Sequence, residues 1–192
     1  MRTAAIVLTG VALTGQLIWI LFLHGSIGWI TAVAVACVAL QLATAARLRP
    51  VTIVVRTALG LLLLGSVADR FGLLGAPGDS GVSWGSFDAF TDYTRSLLPS
   101  FLHALTSPAA IAATAAEALL GIALVVGIAM RATASATAAL LASFAVAMLT
   151  SVGFDAMSGY GVTVLAAGAL LTASAAQEGR RVVDFRRTPA PA

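Results

Sequence analysis

Apolar residues are grouped into six long segments separated by short polar or glycine-containing breaks. The segments cover residues 4–23, 27–46, 51–70, 109–130, 132–152 and 157–177. An α-helix rises 1.5 Å per residue, so about 20 residues cross the roughly 30 Å of hydrocarbon in a bilayer. The segments reach that length or nearly so, and they lack the apolar–polar alternation of membrane strands. The pattern predicts an all-α membrane protein with six spans.

The composition supports this prediction. Of the 192 residues, 59% are apolar and 10% are charged. Soluble domains carry about 25% charged and about 45–50% apolar residues. So few polar side chains cannot cover so much apolar surface, and we expect the lipid bilayer to be the solvent and main partner of the chain.

The first segment has a second interpretation, because Arg2 precedes it as in a signal peptide. The segment is long, its end lacks an A-x-A site, and another apolar segment follows at once. A transmembrane hairpin over residues 1–48 fits better than a cleaved leader. We expect a four-helix membrane domain over residues 49–178 and a basic cytoplasmic tail over residues 179–192.

The arginines predict the orientation of the spans. All eleven basic residues are arginines. With the N-terminus inside, the inner segments hold Arg2, Arg47, Arg49, Arg131, Arg180, Arg181, Arg186 and Arg187, and the outer segments hold Arg70 and Arg95. Arginine accumulates on the cytoplasmic side, so both termini are expected in the cytoplasm. This placement also argues against nucleic acid as a partner. The alanine-rich, lysine-free composition indicates a GC-rich bacterial genome, and therefore the inner membrane.

The long outer segment, 71–108, contains a regular apolar pattern. The residues of this pattern recur every three or four positions, as on one face of a helix: Trp84, Phe87, Phe90, Thr94, Leu97, Leu98, Phe101 and Leu105. Asp88 and Asp92 fall on the opposite face, so we expect an amphipathic helix at the membrane interface, interrupted by Pro99. Serine is favoured at the N-cap of a helix and proline at the first helical position. Ser107 followed by Pro108 therefore predicts the start of the next span.

Several classes of chemistry lack their motifs. Cys37 is the one cysteine, so an intramolecular dithiol relay and C-x-x-C metal sites are excluded. His24 and His103 are far apart and lack the H-E-x-x-H spacing, and no Walker A loop or G-x-G-x-x-G occurs. The sequence therefore carries no metal, haem or nucleotide signature, and no catalytic constellation is visible.

Charged residues at membrane depth provide the candidate site. A charge in hydrocarbon costs about 2.5–3.5 kcal/mol on insertion scales, so Glu117 needs a partner or a function. The rise per residue brings Arg70 within reach of Glu117, whereas Arg56 lies deeper and is expected to extend to the inner surface. Three hypotheses remain open for Glu117: a structural ion pair, a protonatable carboxylate facing a head-group pocket, or a transport path.

Other polar and aromatic residues extend this candidate network. Thr114 and Gly121 share a helix face with Glu117, and glycine lets a neighbouring helix approach closely. Trp84, Tyr93 and Tyr160 are predicted near the outer boundary, where aromatic residues usually act as anchors. The full candidate set for a pocket or buried polar network is Glu117, Arg70, Asp69, Thr114, Tyr93, Trp84 and Tyr160.

Several motifs, taken in order, resemble the DoxX family of small bacterial membrane proteins. They are "GSVADRFGLLGAPG", "SWGSF", "FTDYT", "LLPSF" and "ATAAEALLGIALVVGIAMRATA". The matching residues are Asp69, Arg70, Phe71, Gly72, Trp84, Gly85, Tyr93, Thr94, Pro99, Thr114, Glu117, Gly121 and Gly127. The resemblance covers about residues 51–175. It departs from the family in the hairpin 1–48 and at Gly159, where this branch often has an acidic residue.

The resemblance implies a four-helix membrane unit associated with quinone chemistry. The family is named after a subunit of a thiosulfate:quinone oxidoreductase, and many members have no established activity. It therefore implies an accessory or quinone-facing subunit, with quinone as a possible cofactor and a membrane or soluble redox protein as partner. A non-enzymatic scaffold is the alternative. A small transporter is a third, although no broken-helix pair or inverted repeat is evident.

Overall fold

A computed structural model describes the backbone of residues 2–187 and the side chains of residues 2–177. The described part is all-helical, as the apolar pattern predicted, and contains no strand. In chain order it consists of α1 (Arg2–Phe22), α2 (Trp29–Ala43), α3 (Arg49–Arg70), α4 (Phe87–Leu97), a 3₁₀ helix (Ser100–Leu105), α5 (Thr106–Val126), α6 (Met130–Ser151), α7 (Phe154–Gly159) and α8 (Val162–Arg187).

Four helical stretches in the described part are long and apolar enough to cross a membrane. They are α1, α3, α6 and the stretch Ser100–Val126, which joins the 3₁₀ helix to α5. The second predicted span is shorter, because α2 has 15 residues and rises only about 22 Å. The apolar part of α8, Val162–Gln177, is also short. The chain thus has the architecture of a multi-pass membrane protein, and the count of six spans stays a prediction.

The helices form an up-and-down bundle with two chemically different ends. α1 packs antiparallel to the segment 154–187: Thr9 donates to the Ala167 carbonyl of α8 at 3.2 Å, and Gln16 donates to the Ser158 carbonyl of α7 at 3.0 Å. The arginine end carries Arg2, Arg47, Arg49 and Arg131. The opposite, aromatic end carries Trp29, the segment 71–105 and Tyr160.

The centre of the bundle is α8, which packs against α1, α2, α3, α6 and α7. Most side chains between Val162 and Ser174 are buried, on all sides of the helix. A helix that is apolar all round is expected to lie inside a bundle rather than at its surface. Gly168 lies so close to Val38 of α2 that a Cβ would be 2.6 Å from its methyl carbon. Close packing therefore joins the N-terminal hairpin to α8.

Two glycines bring α3 and α5 into backbone contact, as expected for Gly121. A Cβ on Gly60 would lie 2.8 Å from the carbonyl oxygen of Gly121, and a Cβ on Gly121 would lie 3.0 Å from that of Gly60. Glycine pairs of this kind let membrane helices approach closely. The close approach places the polar faces of α3 and α5 against each other further along the same interface.

Gly60→Ala is expected to destabilise the protein by about 1–3 kcal/mol, because the added methyl group overpacks the α3–α5 contact. Gly65→Ala is the matched control on the same helix, since a Cβ there meets nothing within 4 Å. Thermal unfolding of both variants in detergent measures the difference. Equal midpoints for the two variants would contradict a tight contact at Gly60.

The predicted start of the Glu117 helix was wrong by a few residues. Ser107 is not the N-cap, because α5 begins at Thr106 and follows the 3₁₀ helix directly. The Thr106 hydroxyl donates to the His103 carbonyl at 2.8 Å and joins the two helices. The other end also differs, since Gly127 takes a left-handed φ of 89° and ends α5 before residue 130.

Arg56 is only partly buried, and the structure gives it a partner that the sequence did not predict. Its Nη1 donates to the Leu124 carbonyl at 2.9 Å and lies 3.6 Å from the Met130 sulfur. A Cβ on Gly127 would lie against this guanidinium group. Arg56 therefore satisfies a free carbonyl at the C-terminal end of α5, where a cation also interacts favourably with the helix dipole.

The boundaries of three further predicted elements differ in the structure. The amphipathic helix is confined to α4, so Trp84 lies in the preceding loop, and Phe101 is 81% exposed. The segment 157–177 is divided, because Gly161 takes a φ of 63° between α7 and α8. The predicted tail 179–192 continues α8 as far as Arg187, and residues 188–192 lie outside the described residues.

Candidate functional site

The carboxyl end of α3, the loop 71–86, α4 and α5 together enclose a group of polar and aromatic residues at the aromatic end. We call it the Arg70 cluster, and it consists of Asp69, Arg70, Trp84, Phe90, Tyr93, Thr114 and Glu117. The three charged side chains are buried, with exposures of 4% for Asp69, 2% for Arg70 and 1% for Glu117. Such burial requires partners for each charge.

Arg70 and Glu117 form the ion pair that the sequence suggested. Arg70 Nη2 donates to Glu117 Oε1 at 2.6 Å and to the Ser66 hydroxyl at 3.1 Å. Arg70 Nη1 donates to the Thr114 hydroxyl at 2.8 Å. The Thr114 hydroxyl in turn donates to the Ala110 carbonyl, one turn earlier in α5. These bonds join α3 to α5 and fix the plane of the guanidinium group.

Aromatic rings cover the guanidinium group of Arg70. Its Cζ lies 3.5 Å from the centre of the Phe90 ring and 5.2 Å from that of Trp84. The two rings meet edge to face at 5.2 Å. A desolvated cation–π contact is worth about 2 kcal/mol, so these rings stabilise a cation that water does not reach.

Asp69 holds the loop 71–86 in place. Its Oδ2 accepts the backbone N–H groups of Ser83 and Trp84, both at 3.0 Å. Because Asp69 precedes Arg70 on the same helix, this anchor determines where Trp84 lies relative to the guanidinium group. The loop is also compact, since a Cβ on Gly85 would collide with the backbone nitrogen of Pro77.

Three buried polar atoms around Trp84 have no hydrogen-bond partner among the described residues. They are Asp69 Oδ1, Arg70 Nε and the Tyr93 hydroxyl. Asp69 binds the backbone of Trp84, Arg70 lies over its ring, and the Tyr93 ring is 6.2 Å away. Buried polar atoms nearly always have a partner, so this grouping needs an explanation. A fourth such atom, Gln41 Oε1, lies elsewhere, at the α2–α8 contact beside Thr172.

The Tyr93 hydroxyl is a hydrogen-bond donor at neutral pH. Burial raises the pKa of Tyr93 to about 12, and the neighbouring Tyr160 adds to this effect. The hydroxyl therefore stays protonated across the physiological range. Together the three atoms offer an O–H donor, an N–H donor and a carboxylate acceptor.

Most of the predicted network meets in this cluster, but the roles differ. Arg70, Glu117 and Thr114 are bonded directly, and Asp69 and Tyr93 join them through Trp84. Tyr160 is 43% exposed and acts on the cluster only as a neighbour of Tyr93.

Sequence reasoning missed Ser66 and the contact of Phe90 with Arg70. Ser66 lies four residues before Arg70, a helical spacing that could have identified it. Phe90 was included in the apolar face of the amphipathic helix, but a face assignment does not reveal which side chain a ring covers.

No protein-family model, curated protein or solved structure matches the chain. The resemblance to the DoxX family therefore depends on the quoted motifs, and membership of that family stays a prediction.

Proposed function

We propose that this chain is a bacterial inner-membrane protein of the DoxX type that acts as an accessory, quinone-facing subunit of a membrane redox assembly. The observation that carries the proposal is the group of three unpartnered buried atoms around Trp84. Ligand sites typically combine aromatic walls with a few polar groups, and the Arg70 cluster contains aromatic rings together with these three polar atoms.

The chemistry of these atoms fits a quinone head group. Its two carbonyl oxygens accept hydrogen bonds, which the Tyr93 hydroxyl and Arg70 Nε can donate. In the reduced form the head group carries hydroxyl groups, and Asp69 Oδ1 can accept from one of them. Trp84 adjoins the three residues that carry these atoms: Arg70 lies over its ring, the Tyr93 ring centre is 6.2 Å from it, and Asp69 binds its backbone N–H. The residues therefore fit the group in both donors and acceptors.

In this proposal Glu117 has a positioning role rather than direct contact with the head group. Its Oε1 is taken by Arg70 Nη2, so Glu117 orients the guanidinium group and leaves Nε available. When bound, a quinone supplies the capacity to carry electrons and protons. The residues of the chain bind and orient it, and Asp69 Oδ1 can accept a hydrogen bond from its reduced form. Electrons come from a partner protein, because the sequence carries no motif for another electron carrier.

The proposed membrane placement has six spans and both termini in the cytoplasm. The arginine end then faces the cytoplasm, in agreement with the positive-inside rule. The aromatic end faces the outside, and α4 lies at the outer interface. The short apolar part of α8, Val162–Gln177, is compatible with a span, because other helices surround it and most of its side chains are buried in the bundle.

Tyr93→Phe is expected to weaken quinone binding by about 3- to 10-fold, the worth of one hydrogen bond. The ligand-free protein should be as stable as wild type or slightly more stable, because the lost hydroxyl has no partner. Tyr160→Phe, which changes an exposed tyrosine at the same end, should leave binding unchanged. Titration of a decyl-tailed benzoquinone into protein in nanodiscs gives the affinities, and thermal unfolding gives the stabilities.

The proposal fails if the wild-type protein shows no saturable quinone binding, or if Tyr93→Phe binds as tightly as wild type. The second result would favour the alternative function, a non-enzymatic membrane scaffold. That alternative is supported by the closed set of bonds between Arg70, Ser66, Thr114 and Glu117, which is sufficient to hold α3 and α5 together.

A further inference from the structure

The arginine end of the bundle carries positive charge that no described carboxylate neutralises. The acidic residues with described side chains lie in the Arg70 cluster or elsewhere at the aromatic end: Asp69, Asp79, Asp88, Asp92, Glu117 and Asp155. Arg47, Arg49 and Arg131 are exposed, and none of them forms a salt bridge with a described side chain. The last turns of α8 add four arginines against Glu178 and Asp184, so this end is basic there as well.

An open cavity of about 300 Å³ lies at this end, beside the turn that joins α5 to α6. It is lined by Ala129, Arg131, Ala132 and Ser135. All four residues are exposed, so the cavity opens to the surroundings of the bundle. Arg131 is the charged residue of the lining, and its guanidinium group has no partner among the described residues. The cavity is therefore suited to a negatively charged group.

Ser135 differs from the other hydroxyl side chains of α6. The others donate to backbone carbonyl oxygens at 2.7–2.9 Å, and they are Thr133, Thr137, Ser143, Thr150 and Ser151. The Ser135 hydroxyl has no hydrogen-bond partner in the described part of the chain, although helical serines commonly bond to a carbonyl of the preceding turn. It lies four residues after Arg131, on the same face of the helix. Both side chains can therefore donate to one group in the cavity.

Two features of the same turn add positive potential. Arg56 reaches it from α3, with Nη1 3.6 Å from the Met130 sulfur. The helix α6 begins at Met130 without a side-chain cap, so the positive end of its dipole adjoins the cavity. Both features strengthen the attraction for an anion that Arg131 and Ser135 would bind.

The surface next to the cavity is apolar. Along α6 the exposed face continues from Ser135 through Ala136, Ala139 and Val146. Ile128, just before the cavity, is 54% exposed. Because α6 is long and apolar enough to cross a membrane, this face is expected to lie against acyl chains. A ligand of the cavity would thus have a charged group at the end of the helix and hydrocarbon directly beside it.

We propose that the cavity binds the phosphate group of an anionic phospholipid, whose acyl chains lie on the exposed face of α6. Arg131 pairs with the phosphate, and Ser135 donates its hydroxyl to a phosphate or ester oxygen. Basic pockets at the ends of membrane helices bind such head groups in other proteins. A free phosphate ion fits less well, because it has no chains to cover the adjoining apolar face. This site lies at the opposite end of the bundle from the Arg70 cluster and does not depend on the proposed function.

Lipid retention tests the site. The protein is reconstituted in nanodiscs with equal amounts of phosphatidylglycerol and phosphatidylcholine, and the lipids that stay bound after transfer to detergent are counted by native mass spectrometry. The wild type should retain phosphatidylglycerol in preference. Arg131→Gln should lower this retention about fivefold, the contribution of one basic side chain near anionic lipid. Ser135→Ala should lower it about two- to threefold, the worth of a weak hydrogen bond.

Arg47→Gln is the matched control, because Arg47 is an exposed arginine at the same end that does not line the cavity. It should retain phosphatidylglycerol nearly as well as the wild type. Added phosphatidylglycerol should also raise the midpoint of thermal unfolding in detergent for the wild type and Arg47→Gln more than for Arg131→Gln.

Three results would overturn the proposal. Equal losses of lipid in Arg131→Gln and Arg47→Gln would mean general attraction by surface charge instead of a site. Equal retention of the two lipids by the wild type would exclude an anionic head group as the ligand. Displacement of the retained lipid by inorganic phosphate as effectively as by short-chain phosphatidylglycerol would make a free phosphate ion the occupant.

Discussion

Glu117→Leu is expected to destabilise the protein by about 3–5 kcal/mol, because it leaves a buried arginine without its counter-charge. Arg70 is 2% exposed, and its carboxylate partner lies 2.6 Å away in the middle of a helix interface. Thr114 and the aromatic rings remain, but they carry no negative charge. The loss of stability is measured by the midpoint of thermal unfolding in detergent, or by the fraction of protein that stays monodisperse in detergent on size-exclusion chromatography. Asp92→Asn, which changes an exposed carboxylate on α4, should have little effect.

The double variant Arg70→Met/Glu117→Leu should recover most of this stability. Replacing a buried ion pair with apolar residues of similar size is often neutral or stabilising, whereas breaking it is costly. A double variant as unstable as the single one would contradict the ion-pair account. If the double variant folds but no longer binds quinone, the Arg70–Glu117 pair is needed for the ligand. If it folds and still binds its partner protein and quinone, neither charge is needed for function.

The contact between Arg70 and Glu117 could be predicted because it depends on regular geometry. Two antiparallel helices and a fixed rise per residue determine which residues share a depth. Helix ends were harder to predict, since they depend on single backbone conformations. Gly127 ends α5 with a positive φ, and Ala45 and Ala46 after α2 also take positive φ, which alanine rarely adopts.

The parts of the cluster that depend on the path of a loop were not predictable from the sequence. Asp69 was expected only near Arg70, but the N–H groups that donate to it lie 14 and 15 residues further along the chain. The intervening loop contains glycines with positive φ at positions 72, 75, 78, 81 and 85. Each of them adds a backbone conformation that periodicity does not encode. The partner of Arg56 was missed for the same reason, because it is a carbonyl freed by the end of α5.

Asp69→Ala is expected to release the loop 71–86 and to move Trp84 away from Arg70. The substitution removes the acceptor of two backbone N–H groups, and hydrogen bonds to a charged group are worth about 1.5–3 kcal/mol each. Asp79→Ala is the matched control in the same loop, because Asp79 is exposed and accepts one N–H group, from Ala76. Limited chymotrypsin digestion should cut Asp69→Ala at Trp84 or Phe71 at least tenfold faster than wild type or the control.

Tryptophan fluorescence shows whether the loop and the ligand site are coupled. In Asp69→Ala we expect the Trp84 emission to shift to longer wavelength, because the ring loses the cover of Arg70 and Phe90 and becomes more exposed to water. The comparison is made in a background where Trp19 and Trp29 are replaced by phenylalanine. Quinone affinity should fall with the loss of both the Asp69 acceptor and the Trp84 face. If digestion and emission match those of Asp79→Ala, Asp69 does not anchor the loop. If the loop opens while quinone affinity is unchanged, the head group does not lie at Trp84, and the site must be sought elsewhere in the bundle.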